Sequence, residues 1–247
     1  MNRVVAYLPA HRDACALWRM FIPHLYTEKS LFVLSKEKME FSEFADAEVC
    51  MVQRLNNRNH LAAINMIKNA GMKVVYDLDD NLWNIPSYNP SKRDFELRKV
   101  GIEVVASTCD VLTVSTESLR KAAYDNMPAV KKKRIEVVPN AISFDLFPEK
   151  KLQHDGFIVG WGGTHTHTLD VAKVFDVLPD VLQDPDISLE FAGLPAPDRI
   201  QSHPKVKERK FVPIAEYPSR LATWGWDLFL APLEWNKFNK AKSNIKI

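Results

Sequence analysis

Short apolar runs alternate with helix-period segments along nearly the whole chain, and that alternation decides which folds are open to it. The runs "RVVAYL" (3–8), "LFVL" (31–34), "AEVCMVQ" (47–53), "KVVYDL" (73–78), "DVLTVS" (110–115) and "RIEVVP" (134–139) read as strands. Between them "NRNHLAAINMIKNAG" (57–71) predicts an amphipathic helix closed by Gly71. "RDFELRKVGIEVVAST" (93–108) predicts a second helix and "STESLRKAAYDN" (115–126) a third, opened by a Ser or Thr cap with an acid in its first turn. Strand, helix, strand in repetition predicts parallel sheets joined by right-handed crossovers.

At "PNAISFDLFPEKKLQHDG" (139–156) the cadence lapses into prolines and mixed charge, the signature of a linker. It then restarts with strand "FIVGWGG" (157–163), a helix over 168–182, strands "ISLEFAG" (187–193) and "KFVP" (210–213), helix "AEYPSRLATWG" (215–225) and strand "DLFLAPL" (227–233). The fold class is therefore α/β, with two Rossmann-like parallel-sheet domains spanning 1–148 and 149–247. A doubly wound domain usually carries about five or six strands; only four follow the linker, so the second domain reads as incomplete.

With 46% hydrophobic residues in 247, the chain has enough apolar material for two modest cores. Lys+Arg 33 against Asp+Glu 31 leaves a formal charge of +2, too balanced to announce a nucleic-acid or membrane partner. The dense basic run "KKKR" (131–134) precedes an apolar strand and reads as a solvated turn. Cys15, Cys50 and Cys109 are widely spaced and form no CxxC pair, which suits a reducing cytoplasm. The opening "MNRVVAYLPAHRD" is too short in apolar residues for a signal or a membrane span, so any membrane contact is expected to be peripheral.

Ligands of open α/β sheets bind outside the carboxyl ends of the strands, and the unusual clusters of this sequence fall there. "GWGGTHTHT" (160–168) lies between a strand and a helix. Gly162 and Gly163 would let backbone amides approach a phosphate while the helix start adds partial positive charge; a flexible turn is the plainer alternative. His165 and His167 alternate without a third nitrogen or sulfur ligand nearby, a poor zinc set. His165 suits a hydrogen bond to a phosphate or sugar hydroxyl instead. In "PLEWNKFNKAKSNIKI" (232–247), Lys237, Lys240, Lys242 and Lys246 gather cationic charge after another strand, with Ser243 able to cap or donate.

"KVVYDLDDNLW" (73–83) carries three carboxylates in four positions. Asp79 or Asp80 about 4 Å from a phosphate would cost about 4 kcal/mol at an effective dielectric of about 20, so the acids cannot face phosphates without a metal between. Three readings stay open: a magnesium clamp, carboxylates that orient a second substrate's hydroxyls, or a turn capped by Asp80 or Asn81 with Trp83 packed beneath.

"VVYDLDDNLW", "DVLTVSTESLR", "VVPNAI", "IVGWGGTHTH" and "PLEWNKFNKAKSNIK", in that order and spacing, resemble bacterial and phage glycosyltransferases of the two-Rossmann GT-B fold related to glycosyltransferase family 4. The resemblance implies a nucleotide-diphosphate sugar held mainly by the second domain, an acceptor held mainly by the first, and reaction in the cleft between them. By position it implies Gly162, Gly163, Thr164 and His165 at the donor phosphates with Lys242 and Ser243, Asn239 as a further donor contact, and Asp77, Asp79 and Asp80 as catalytic or acceptor-binding acids. It also implies no catalytic metal or other cofactor, which turns the acids toward the acceptor, and it favours retention of the anomeric configuration. The sequence departs from the family late in the second domain, where an acidic pair is usual: Glu234 is followed eight positions later by Lys242. That departure keeps an inactive nucleotide-sugar-binding remnant in view, beside a nucleic-acid-modifying enzyme that would use "KKKR" on a phosphate backbone.

Overall fold

The computed structural model describes residues 4–9, 13–33, 41–147 and 154–245. The chain forms two compact units, Met1–Ile142 with Asn236–Ser243, and Ser143–Trp235 with Asn244–Ile247.

The first unit is built on six parallel strands: β1 (Val5–Leu8), β2 (Ser30–Phe32), β3 (Val49–Gln53), β4 (Lys73–Leu78), β5 (Val111–Val114) and β6 (Arg134–Val137). Their order is β2-β1-β3-β4-β5-β6, so the chain runs outward from β1 to one edge and from β3 to the other. Cys50, Val52, Val74, Tyr76, Leu112 and Val114 are wholly buried in a single apolar core. Strands buried on both faces explain the continuous apolar runs in the sequence. The parallel register sets Gln53 beside Asp77 and Asp77 beside Thr113 at the carboxyl ends.

Helices α1 (Ala14–Ala16) and α2 (Ile22–Leu25) flank a π-helical stretch, Leu17–Phe21. The sequence reading gave no helix here because Pro23 and the π turn break the 3.6-residue period. Helices α3 (Arg58–Asn69), α4 (Lys92–Thr108) and α5 (Glu117–Asn126) fall where the apolar period places them. Asn57 caps α3 by accepting from the His60 amide, and Thr116 caps α5 by accepting from the Leu119 amide.

Residues 236–243 pack on this first unit, although the sequence reading counted them with the second. The cause is apolar burial with satisfied carbonyls. Phe238 and Ala241 join the first core. Asn81 Nδ2 donates to the Lys237 carbonyl at 3.1 Å, and Thr116 Oγ1 to the Ala241 carbonyl at 2.8 Å. Asn140 Nδ2 donates to Ser243 Oγ at 2.7 Å.

The second unit has four parallel strands, β7 (Phe157–Gly162), β8 (Ile187–Ala192), β9 (Val206–Arg209) and β10 (Leu228–Phe229), in the order β10-β7-β8-β9. Val159, Trp161, Leu189 and Phe191 anchor its core. The helix expected over 168–182 is two short pieces, α6 (Thr168–Ala172) and α7 (Leu178–Val181), separated by turns. Helix α8 (Asp198–Gln201) is also short, and α9 (Tyr217–Trp224) ends at Gly225. The strand read at 210–213 is instead β9, four residues earlier, and Phe211 is exposed. Lys207 and Arg209 both reach buried Glu190, so charges stand where an apolar strand signal was sought.

Of the expected linker, 148–153 lie outside the described residues, as do residue 34 of the "LFVL" run and Lys246. In the basic run, Lys133 Nζ donates to the Cys109 carbonyl and Arg134 pairs with Glu136. Among the described residues no helix is long and apolar enough to cross a membrane.

Candidate functional site

In an open parallel sheet the connections diverge at the point where strand order reverses, leaving a crevice at the carboxyl ends. That point lies between β1 and β3 in the first unit and between β7 and β10 in the second. Both are occupied by polar side chains, in different ways.

At the first sheet's carboxyl edge, Arg19 from the π-helical stretch is buried against Asp77. Its Nη2 lies 2.5 Å from Asp77 Oδ1, and its Nε donates to both carboxylate oxygens at 3.2 and 3.1 Å. Thr113 Oγ1 donates to the same Oδ1 at 2.6 Å. The remaining Arg19 nitrogen, Nη1, donates to the Val138 carbonyl and to Asn140 Oδ1. Asp77 is 0% exposed and Arg19 2%, so this candidate catalytic acid is a structural anchor that no solvent-borne substrate reaches.

Arg54 follows β3 directly and holds φ +50, a left-handed backbone unusual for a residue with a side chain. That turn aims its guanidinium at the two acids beyond β4. Nε donates to Asp79 Oδ1 and Nη2 to Asp80 Oδ2, each at 2.7 Å, and Nη2 also approaches Cys15 Sγ at 3.2 Å. Burial raises the Asp79 carboxyl to about 6 against the pull of Arg54, with Asp80 adding to the rise. Burial, and then the Asp79 charge, push the Cys15 thiol well above its usual value. Cys15, Asp79 and Asp80 offer ligand atoms within 4.8 Å of one another. The guanidinium already supplies their positive charge, and a metal would have to compete with it. Beyond them the Leu82 and Asn84 amides donate to the Asp80 and Asn81 backbone carbonyls and Trp83 packs on the core, while the Asp80 carboxylate goes to Arg54 and the Asn81 side chain donates to the Asn84 side chain and the Lys237 carbonyl.

In the second unit Gly162 ends β7, and Gly163 and Thr164 begin the turn that follows. The Gly163 amide donates to the Ala192 carbonyl at 3.0 Å and is not available to a phosphate. A Cβ on Gly163 would lie 2.7 Å from the Trp161 ring, and one on Gly160 1.8 Å from Trp226. Close packing is thus reason enough for glycine at 160 and 163, whereas a Cβ on Gly162 would make only ordinary contacts, the nearest at 3.5 Å. Trp226 in turn donates through Nε1 to buried Glu190 at 2.6 Å.

His165 is exposed on a 3-10 turn, His165–His167, ahead of α6. Helix α6 has five residues, so the macrodipole expected at this place is small. His167, two residues on, is the better anchored ring. Its Nδ1 donates to Asp170 Oδ2 at 2.8 Å, and Asp170 Oδ1 accepts from the Glu234 amide at 2.8 Å. Asp170 is 2% exposed.

Gly162, Gly163, Thr164 and His165 thus run in succession from the end of β7 into the 3-10 turn of the second unit, and Asp79 and Asp80 share one guanidinium of the first. Asn239, Lys242 and Ser243 lie with the first unit, where Lys242 Nζ stands 5.0 Å from the Phe238 ring centre. Trp235 is 87% exposed, not packed as its neighbours Trp224 and Trp226 are. The sequence reading missed Arg19, Arg54, the pairing of His167, and Asp170. Arg54 had one signal, a charged residue at the end of an apolar strand; Asp170 had none inside a helical period.

No protein-family model and no curated protein matches this chain. Solved structures do. Anabaena Alr3699/HepE, crystallised in complex with UDP and glucose, matches with a TM-score of 0.59 at 12% identity, over 92% of this chain and 73% of that one. The catalytic domain of starch synthase IV from Arabidopsis thaliana, bound to ADP and acarbose, matches with a TM-score of 0.60 at 10% identity, over 96% of this chain and 79% of that one. At such identities the likeness speaks for fold. The chain has the two parallel-sheet α/β units of the GT-B fold, the second the smaller.

Proposed function

We propose that this chain is a glycosyltransferase that moves a sugar from a nucleotide-diphosphate donor to an acceptor hydroxyl, without a metal and with retention of the anomeric configuration. The observation that carries the reading is the match of more than nine-tenths of the chain to two structures whose descriptions include UDP with glucose and ADP with acarbose. In the transfer the bond from the anomeric carbon to phosphate breaks with its electron pair leaving on the diphosphate, and the acceptor oxygen takes the carbon. The acceptor proton passes to the departing phosphate oxygen, or to a carboxylate if the reaction inverts.

The second unit's turn, Gly162–His167, is the donor side of this proposal, using its own residues. Asp79 and Asp80 are the acceptor side. A carboxyl that titrates near about 6 suits proton exchange with a hydroxyl near neutral pH. A second reading, a nucleotide-sugar-binding protein without turnover, is favoured by the ion pairs: Asp77 is paired with Arg19, and Asp79 and Asp80 are both held by Arg54. Nucleic-acid modification draws less support, since Lys133 and Arg134 of the basic run are engaged within the fold.

Calorimetry with UDP-, ADP-, GDP- and dTDP-sugars, followed by a transfer assay with the donor that binds, tests these readings. Binding with transfer supports the enzyme. Binding without transfer, across a set of glycan and lipid acceptors, supports the non-catalytic protein. No binding of any donor removes both.

A further inference from the structure

Near the carboxyl edge of the first sheet, two buried side-chain atoms have no hydrogen-bond partner among the described residues: Gln53 Nε2, a donor, and Asn81 Oδ1, an acceptor. Gln53 is 2% exposed and Asn81 3%. A fold rarely leaves such a group unmet, because its hydration is lost and nothing replaces it. Both stand beside the ion pair already described. Gln53 immediately precedes Arg54, Asn81 immediately follows Asp80, and Arg54 and Asp80 are bonded to one another.

The sheet register places Gln53. It ends β3 opposite Asp77 on β4, and Asp77 lies opposite Thr113 on β5. Residues opposite one another in a parallel sheet present their side chains to the same face, so the three form a row. Within that row Asp77 is fully engaged, by Arg19 and by Thr113. On its other side β3 adjoins β1, where the strand order reverses. Strand β1 ends at Leu8, opposite Val52 and one residue short of Gln53, so Gln53 has a strand on one side only. The unmet amide thus sits at the switch point, the place where open α/β sheets take their ligands.

Charge decides which ligand suits it. Asp77, Asp79 and Asp80 face only Arg19 and Arg54, and the Cys15 thiol is kept protonated by burial first and by the Asp79 charge second. No positive charge is left over for an anion. A neutral hydroxyl fits both orphans, since its oxygen accepts from Gln53 Nε2 and its proton can be given to Asn81 Oδ1 or to a carboxylate. A compound with hydroxyls on neighbouring carbons offers both roles at once. The edge is open beside the amide, because the Asp80 side chain is 25% exposed and Cys15 is partly exposed.

We infer that Gln53, at the β1–β3 switch point, is a ligand-binding residue of the first unit that donates from Nε2 to a hydroxyl oxygen of a neutral sugar or polyol. This rests on the acceptor reading above, and adds to it the class of acceptor, uncharged and polyhydroxylic, and a residue that reading does not use.

The test uses the full chain and proton–nitrogen NMR of the side-chain amides, with the Gln53 pair assigned through its own backbone. The probes are glucose, galactose and maltose, with glucuronic and galacturonic acid as anionic counterparts. A neutral sugar should shift the Gln53 side-chain pair, and its anionic counterpart should bind about tenfold more weakly. Gln53→Met, close in length but without a donor, should bind the same sugar about tenfold more weakly. Its urea midpoint should be unchanged or higher, because the variant removes a buried donor that the fold does not satisfy. A lower midpoint, or failure to fold, would show that the amide serves the structure and would overturn the inference. If a neutral sugar shifts Arg54 and Asp79–Asp80, leaves the Gln53 side chain unmoved and binds Gln53→Met equally, the Gln53 assignment is wrong while the acceptor reading stands. Tighter binding of the anionic counterparts would overturn the neutral class. If no probe binds, the inference fails, and the transfer assay described above then decides the acceptor reading separately.

Discussion

The carboxyl edges of the two sheets solve the same topological problem with opposite chemistry. At the first edge the acids face guanidinium groups: buried Arg19 closes on Asp77, and half-buried Arg54 forks between Asp79 and Asp80. At the second, the buried acid Asp170 is matched by a histidine that keeps contact with solvent. A guanidinium cannot be deprotonated in a protein, so what titrates at the first edge is a carboxyl, that of Asp79, raised to about 6. At the second edge the partner is instead an imidazole, a ring that offers two nitrogens and not a fork. The difference teaches that a row of aspartates at a strand end is poor evidence of a catalytic site until the arginines that face it are known.

The largest break in this contrast comes from removing one of those arginines. Arg19→Ala leaves Asp77 buried with only Thr113 beside it and should destabilise the first unit by about 3–5 kcal/mol, read as a lower urea midpoint. Replacing both partners with apolar residues of similar size, as in Arg19→Met with Asp77→Leu, should recover most of that loss. Next in size is Phe238→Ala. If residues 236–243 belong to the first core, the truncation should cost about 3 kcal/mol and weaken the first unit's cooperative transition, leaving the second's unchanged.

A smaller effect sharpens the comparison through pH. Asp79 has a folded-state value near about 6, above the ordinary carboxylate value, so the folded protein holds its proton more tightly than the unfolded chain. Its contribution to stability is therefore full below the ordinary value and is lost as pH rises through about 6. Urea melts should show the wild type losing on the order of 2 kcal/mol relative to Asp79→Asn between about pH 4 and about pH 7.5. Smallest is Trp226→Phe in the second unit, which removes the indole donor to Glu190 while Arg209 still pairs with that acid. About 1.5 kcal/mol should be lost, with the core otherwise intact.

How far the sequence was legible follows the same division. Strands β4 and β5 were plain because they are buried apolar runs, and helices α3 and α5 because they are amphipathic with side-chain caps at Asn57 and Thr116. Strand β9 was hidden because Lys207 and Arg209 answer a glutamate on β8, a tertiary pairing that no local pattern announces. The α6–α7 break falls in an apolar stretch whose period alone suggests one continuous helix. At the candidate site the glycine turn and the acidic run were visible by type and spacing. Arg19 lies 58 residues from Asp77, and Asp170 lies 64 from Glu234, so their meetings exist only in three dimensions.

The central claim is regional: recognition of an anionic donor belongs to the second unit's β7–β10 edge and not to the arginine-locked acids of the first. An amide NMR map recorded on adding a binding nucleotide sugar tests it most directly. Perturbations concentrated at residues 162–170 and 232–234, with Cys15, Gln53, Arg54 and Asp77–Asn81 little changed, are the predicted result. Perturbations centred on Arg54 and Asp79, with the His167 turn unmoved, would contradict it.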